Sequence, residues 1–284
     1  MSLAMQPSAR SLVLDLLSTL RSGSAMPVGA LIEAGGLFRI SENNIRVTVA
    51  RLLADGRVAR DERGHYRLGS AARPIGAHVR RWRHRERRTR KWGGGWLAVH
   101  AGPAGRAAQR DRARALRLFG FAALRPGLWV RPDNLAPPLA ELRGELGALG
   151  LPPGDLVCVV ADLDPATEAR ARRLWDVAGL RRTYRTLDAA LAASESHLAD
   201  LAPAAAMAES FALGGRALRE LVLDPLLPEA ICPNAERDAL LERMQRYDRL
   251  GRLAWAHLLE RFDVPALRTP IDSRIDMERG RHAR

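Results

Sequence analysis

Apolar positions recur every three to four residues through the first fifty-odd residues of the chain, and they separate into three periods. In "ARSLVLDLLSTLRSG" Leu12, Val13, Leu16, Leu17 and Leu20 fall on one helical face, and Ser22, Gly23 and Ser24 end the run. Pro27 suits the first turn of a second, short helix, "PVGALIEAGGLF", which the pattern ends at Gly35 and Gly36. The third period, "SENNIRVTVARLLADG", takes Ser41 as N-cap and Asp55-Gly56 as its close, and its apolar stripe holds Ile45, Val49, Leu52 and Leu53. The next residues change period: "RVARD" and "HYRLG" are two β-like runs joined by "ERG", the pattern of a hairpin.

Three helices followed by a hairpin is the order of a winged helix-turn-helix, expected here over residues 1–72. In that arrangement the third helix enters a DNA groove while its apolar stripe faces the first two helices. The opposite face carries Asn43, Val47, Ala50 and Ala54, with Ser41 at its head, Asn44 and Arg51 on one shoulder and Arg46 on the other. Asn pairs with adenine, Arg with guanine or phosphate, and Val47 can touch a thymine methyl. The same face would also suit the wet side of any helix, and the pattern alone divides the two readings evenly. The hairpin weights the first, because Arg63 at its tip and His65 and Arg67 on the returning strand would stand where a wing meets the backbone.

Farther along, the pattern reads strand for "WLAVHAG", helix for "GRAAQRDRARALRLFG", two short strands about Pro126-Gly127, helix for "PPLAELRGELGALG" and strand for "DLVCVVADLD". A β-α-β-β-α-β order makes an antiparallel sheet with two helices on one face. Residues 167–260 read as mostly helical. The resulting expectation is an α+β chain: a basic linker over 73–94, a central domain over 95–176, a helical C-terminal domain over 177–268 and a polar tail over 269–284.

Charge sharpens the first third of this picture. The chain of 284 residues has a formal net charge of +13. Residues 1–70 carry +3, residues 71–92 carry +8 and the remaining 192 carry +2. Such a distribution is the footprint of a polyanion partner, because neutralising phosphates releases condensed counterions, and Arg80, Arg81 and Arg83 are its natural contacts. A solvated Arg-rich helix would give the same run. Trp82 and Trp92 are the only large apolar groups in it, a weak basis for a membrane anchor. No apolar run approaches the roughly 20 residues needed to span a bilayer, and the N-terminus lacks the apolar core of a signal peptide, so a cytoplasmic location is expected. The two cysteines, Cys158 and Cys232, have no disulfide or metal spacing.

"ISENNIRVTVARLLADGRV…GHYRLG", then "AHVRRWRHR…WGGGWLAVH", "LWDVAGLRRTYRTL" and "LVLDPLLPEAICP" occur in order over about residues 9–250, and together they resemble the PaaX family of bacterial transcriptional repressors. The resemblance implies a winged helix, a ferredoxin-like central domain similar to small CRISPR-associated nucleases, and a helical C-terminal domain. It also implies a homodimer that represses an aromatic (phenylacetate-type) catabolic operon and leaves its double-stranded operator when an aryl-CoA thioester binds. The chain departs from the family after "DPLLP", where "EAICPNAERDALL" contains no tryptophan.

Chemistry for catalysis is not visible. There is no G-x-S-x-G elbow, phosphate-binding loop or HExxH, and seven scattered histidines offer no zinc spacing, so no cofactor, no metal and no enzymatic activity are expected. His100 stands where the similar nucleases carry a strand-end acid, and Asp162 and Asp164 read as a helix cap. Trp175, Arg181, Arg182, Tyr184 and Arg185 combine an aromatic surface with guanidinium groups, as an anionic aromatic effector would require, although core packing explains the rings as well. The alternatives kept open are a metal-dependent nucleic-acid-processing enzyme built on the central domain, and a non-enzymatic interaction module.

Overall fold

The computed structural model describes residues 6–20, 24–80 and 88–265. In chain order it forms helices α1 (Ala9–Thr19), α2 (Val28–Leu37) and α3 (Glu42–Ala54), strands β1 (Val58–Arg60) and β2 (Tyr66–Leu68), and helix α4 (Arg73–Arg80). Then come β3 (Trp96–His100), α5 (Arg106–Leu118), β4 (Ala122–Arg125), β5 (Leu128–Pro132), α6 (Leu139–Ala148) and β6 (Leu156–Val160). Helices α7 (Pro165–Arg172), α8 (Val177–Glu195), α9 (Pro203–Leu223) and α10 (Ala235–Arg261) complete it. The chain is α+β. None of the described helices is long and apolar enough to cross a membrane.

The chain divides into two compact units. One takes the residues through Gly76, Ala190–Arg216 and those from Met244; the other takes Ala77–Ala189 and Ala217–Arg243. The helical segment expected to stand alone over 177–268 is thus shared between two bodies, and the expected basic linker begins as α4.

In the first unit, Leu12, Leu16 and Leu17 of α1, Ala30, Leu31 and Ala34 of α2, and Ile45, Val49 and Leu52 of α3 close one core. Gly35 and Gly36 lie inside α2 rather than ending it. A Cβ on Gly35 would come within 2.9 Å of Ile45 Cγ1, so glycine there permits a close approach of α2 to α3. That contact outweighs the roughly 1 kcal/mol that glycine costs a helix interior. Ser41 caps α3 as expected, its Oγ accepting from the backbone N–H of Asn44 at 3.3 Å. Leu53 leaves the expected stripe: it is 40% exposed, because it lies about 80° around the helix from Ile45.

Strands β1 and β2 pair antiparallel, with Ala59 opposite Arg67. Met26, between α1 and α2, exchanges two backbone hydrogen bonds with Tyr66 at 2.8 and 2.7 Å and adds a one-residue rung on the other side of β2. The unit is finished by distant residues. Phe211 of α9 lies 5.3 Å from Phe38 and 5.8 Å from Trp255 of α10, ring centre to ring centre. Arg261 grips Glu33 of α2 through two hydrogen bonds of 2.7 and 3.1 Å.

The second unit is built on a four-stranded sheet in the order β4-β5-β3-β6, each neighbouring pair antiparallel. Its β-α-β-β-α-β sequence is the one expected from the pattern, a unit that carries its two helices, α5 and α6, on one face. Trp96 and Ala98 point to the other face, where Ala171 of α7, Trp175 and Ile231 cover them. The stretch "LDPLLP" is a buried, irregular loop. Gly120, at φ +70°, passes so close that a Cβ would sit 2.5 Å from Pro225 Cα. Asn134 donates to Leu226 O at 2.7 Å, and buried Arg237 donates to Asp224 and to Leu227 O at 3.4 and 3.1 Å. These groups satisfy a polar backbone in the interior, which is why this loop needs Asp, Asn and Arg around it.

Candidate nucleic-acid interface

Burial of Ile45, Val49 and Leu52 fixes the rotation of α3 and so determines what it shows to solvent. Ser41, Asn43, Asn44, Arg46, Val47, Ala50, Arg51 and Ala54 are all exposed, Val47 to 39%. The Arg51 side chain has no hydrogen-bond or ion-pair partner among the described residues. Arg46 is engaged, its guanidinium lying 2.7 Å from Glu42 one turn earlier. Thr48 donates to Asn44 Oδ1 over a long 3.4 Å, which leaves the Asn44 amide nitrogen open.

The hairpin tip is organised by Asp61. Its Oδ1 accepts from the backbone N–H of Arg63 at 3.0 Å and of His65 at 2.8 Å, and Gly64 takes φ +80° to close the turn. The side chain of Arg63 is thereby thrown outward, and Arg67 projects from the solvent face of β2; both are exposed and neither has an ion-pair partner among the described residues. His65 is half-buried at the base of the tip. Two further basic groups belong to this surface. Arg39 is exposed in the α2–α3 turn at φ +56°, and Arg60 stands 6.0 Å over the Tyr66 ring. Arg39 escapes a search for helical faces because it lies between helices; its only signal is a basic residue two places before an N-cap. Arg81 and Arg83 lie outside the described residues, as does the side chain of Arg80.

The residues considered for an anionic effector do not form one open cluster. Trp175 stacks on Trp96, with ring centres 6.4 Å apart and planes within 8°. Tyr184 is buried, and burial pushes its hydroxyl well above the usual range. Arg181 and Arg185 both bond Glu236 of α10, at 2.5 and 3.1 Å, and hydrogen bonding from Arg181 holds the Glu236 carboxyl down at about 2. Arg182 reaches Asp176 only at 3.9 Å, on the surface. The ring is therefore committed to packing and two of the guanidinium groups to a carboxylate already present.

His100 ends β3 exposed. Asp164 is the N-cap of α7, accepting from Ala166 and Thr167 N–H at 3.1 and 3.0 Å, and those bonds from Thr167 lower its pKa. Asp162 instead occupies a turn at φ +55°. Among the described residues no three His, Cys, Asp or Glu side chains gather as a metal site would require.

No family model matches the chain, and no curated protein matches it. Among solved structures it is similar to the uncharacterized protein Rv0674 from Mycobacterium tuberculosis, at a TM-score of 0.53 and 24% identity, over 87% of this chain and 98% of that one. The likeness is one of fold.

Proposed function

We propose that the chain is a DNA-binding transcriptional regulator whose first unit is a winged helix-turn-helix and whose sheet unit is ferredoxin-like. The single observation that supports this most is the composition of the exposed face of α3. It offers Asn43, Asn44, Val47 and Arg51 on a helix anchored by Ile45, Val49 and Leu52, with alanines that let a backbone come near. The tip arginine Arg63 and the strand arginine Arg67 supply phosphate contacts beside it. In this reading the protein acts as a homodimeric repressor of the PaaX kind on an aromatic catabolic operon, with α3 of each subunit in a major groove. Release by an aryl-CoA thioester requires tighter binding of the ligand to the released form than to the DNA-bound one. Arg182, which reaches Asp176 only at 3.9 Å, is the group of the expected effector cluster left most open.

The test is selection of bound duplexes from a random pool by the purified full-length chain, repeated with Asn44→Ala and Arg51→Ala. A defined preferred sequence that loses one or two positions in each variant supports the reading. A pool that emerges without any preference overturns it.

A further inference from the structure

Helix α5, in the sheet unit, exposes Arg106, Arg110, Arg114 and Arg117. At about 100° per residue these four fall within an arc of roughly 80°, opposite the buried Arg112, Ala115, Leu116 and Leu118. At about 1.5 Å per residue the stripe is roughly 16 Å long. The helix contains one acid, Asp111, which lies 3.1 Å from Arg114. The side chains of Arg106, Arg110 and Arg117 have no hydrogen-bond or ion-pair partner among the described residues. Many arginines elsewhere are paired, Arg172 with Glu168, Arg181 with Glu236, Arg243 with Asp188 and Arg252 with Asp248 at 2.5 to 2.9 Å. Arg216, Arg219 and Arg249 are exposed without an ion-pair partner among the described residues, but they do not line up four on one helical face as those of α5 do. Like charges one turn apart destabilise an isolated helix, so an uncompensated row of them works against folding.

We infer that this stripe is a second polyanion surface, which takes the sugar-phosphate backbone of duplex DNA by charge and without reading its sequence. A strand of B-DNA carries one charge per ~3.4 Å of axis, so a stripe of about 16 Å faces roughly five phosphates. A membrane surface is the poorer fit. Interfacial helices set large apolar groups beside their basic ones, whereas the large apolar side chains exposed among the described residues, Val47, Leu53, Leu156, Val159 and Leu253, all lie off α5. An acidic protein partner is also a poorer fit, because the stripe offers no aromatic or aliphatic anchor, only Ala107 and Gln109 beside the arginines. The inference extends the DNA-binding reading, yet it concerns residues of the other unit and a different observable.

The deciding variant is Arg106→Gln/Arg110→Gln/Arg117→Gln in the full-length chain. Its three side chains are exposed and bond nothing, and their removal relieves like-charge repulsion, so Tm should equal or slightly exceed that of the parent, and it is measured first. Binding of a random-sequence duplex is then followed by anisotropy over a salt series, beside vesicles of phosphatidylglycerol and phosphatidylcholine. The expected result is a fall of about 2.7 in the slope of log K against log salt, at ~0.9 per lost contact, and duplex binding weakened about tenfold or more at low salt. Relative affinities among duplex sequences should not change. An unchanged slope overturns the inference, and so does loss of vesicle binding with duplex binding intact. If Asn44→Ala and Arg51→Ala leave sequence preference untouched while the triple variant lowers the slope, the reading of α3 falls and the α5 stripe stands.

Discussion

The α3–hairpin surface and the α8–α10 contact are both rich in arginine, and they use it in opposite ways. Arg181, Arg185 and Arg243 lie against Glu236 and Asp188, close enough for charge-assisted hydrogen bonds. Arg51, Arg63 and Arg67 are exposed and have no carboxylate partner among the described residues. In a chain with 45 basic and 32 acidic residues, arginine content by itself says little about partners. What distinguishes a binding surface from a structural contact is where the acids have been left out. The paired arginines should therefore appear in stability measurements and the unpaired ones in DNA binding, with little crossover.

The largest expected effect is at the buried pairs. Arg237 and Asp224 are 2% and 1% exposed in their side chains, and Arg112 and Asp155 are 9% and 1%. Arg237→Ala strands the Asp224 carboxylate in the interior, and Arg112→Ala does the same to Asp155. Removing one partner of such a pair costs about 3–5 kcal/mol, and in a body of this size the associated transition should move down by roughly 6–20 °C. Calorimetry of each variant checks this. If Arg51→Ala lowered Tm as much as Arg237→Ala, the division between the two kinds of arginine would collapse.

Next in size are the groups proposed to contact bases. Asn44→Ala and Arg51→Ala should leave Tm unchanged within experimental scatter, since exposed substitutions stay within about 0.5 kcal/mol. Discrimination at one or two base pairs should fall by about 1–3 kcal/mol each, read from competition binding against mutated sites. Arg63→Ala should lower affinity for all duplexes alike and reduce the salt slope by about 1. If Arg63→Ala altered base preference and Arg51→Ala did not, the reading element would be the hairpin and α3 the support.

The elements of the α3–hairpin region were largely legible in the sequence, for reasons that also mark where legibility ends. A 3.6-residue period with Ser41 before it and Asp55-Gly56 after it locates α3 without tertiary information. Gly35-Gly36 misleads because glycine commonly stops helices, and only the position of Ile45 shows that a missing Cβ was required. Leu53 misleads because two adjacent leucines cannot share one narrow stripe. The Met26 rung is one residue long and leaves no pattern. The order of the sheet unit was visible in its alternating runs, whereas the sharing of α9 and α10 between units was not, because periodicity shows that a helix has a buried face and not what covers it. For the same reason the spacing of Arg181, Tyr184 and Arg185 along α8 suggested a ligand site: the carboxylate that occupies two of those guanidinium groups, Glu236, comes from 51 residues farther along the chain than Arg185.

That carboxylate gives the smallest and most specific test of the pairing. Glu236 falls from the ordinary 4.5 to about 2, chiefly through the hydrogen bond from Arg181. A group whose pKa drops on folding stabilises the fold above its unfolded value and loses that contribution as pH falls through the folded one. Glu236→Gln should therefore lower Tm of the sheet unit slightly at pH 7. The gap from the parent should hold down to about pH 4.5 and close between there and about 2. Binding of DNA by α3 at neutral pH should be unaffected. A gap that stayed constant down to pH 2 would mean that Glu236 acts through packing alone, and that Arg181 and Arg185 are as free for an anionic ligand as Arg51 is for DNA.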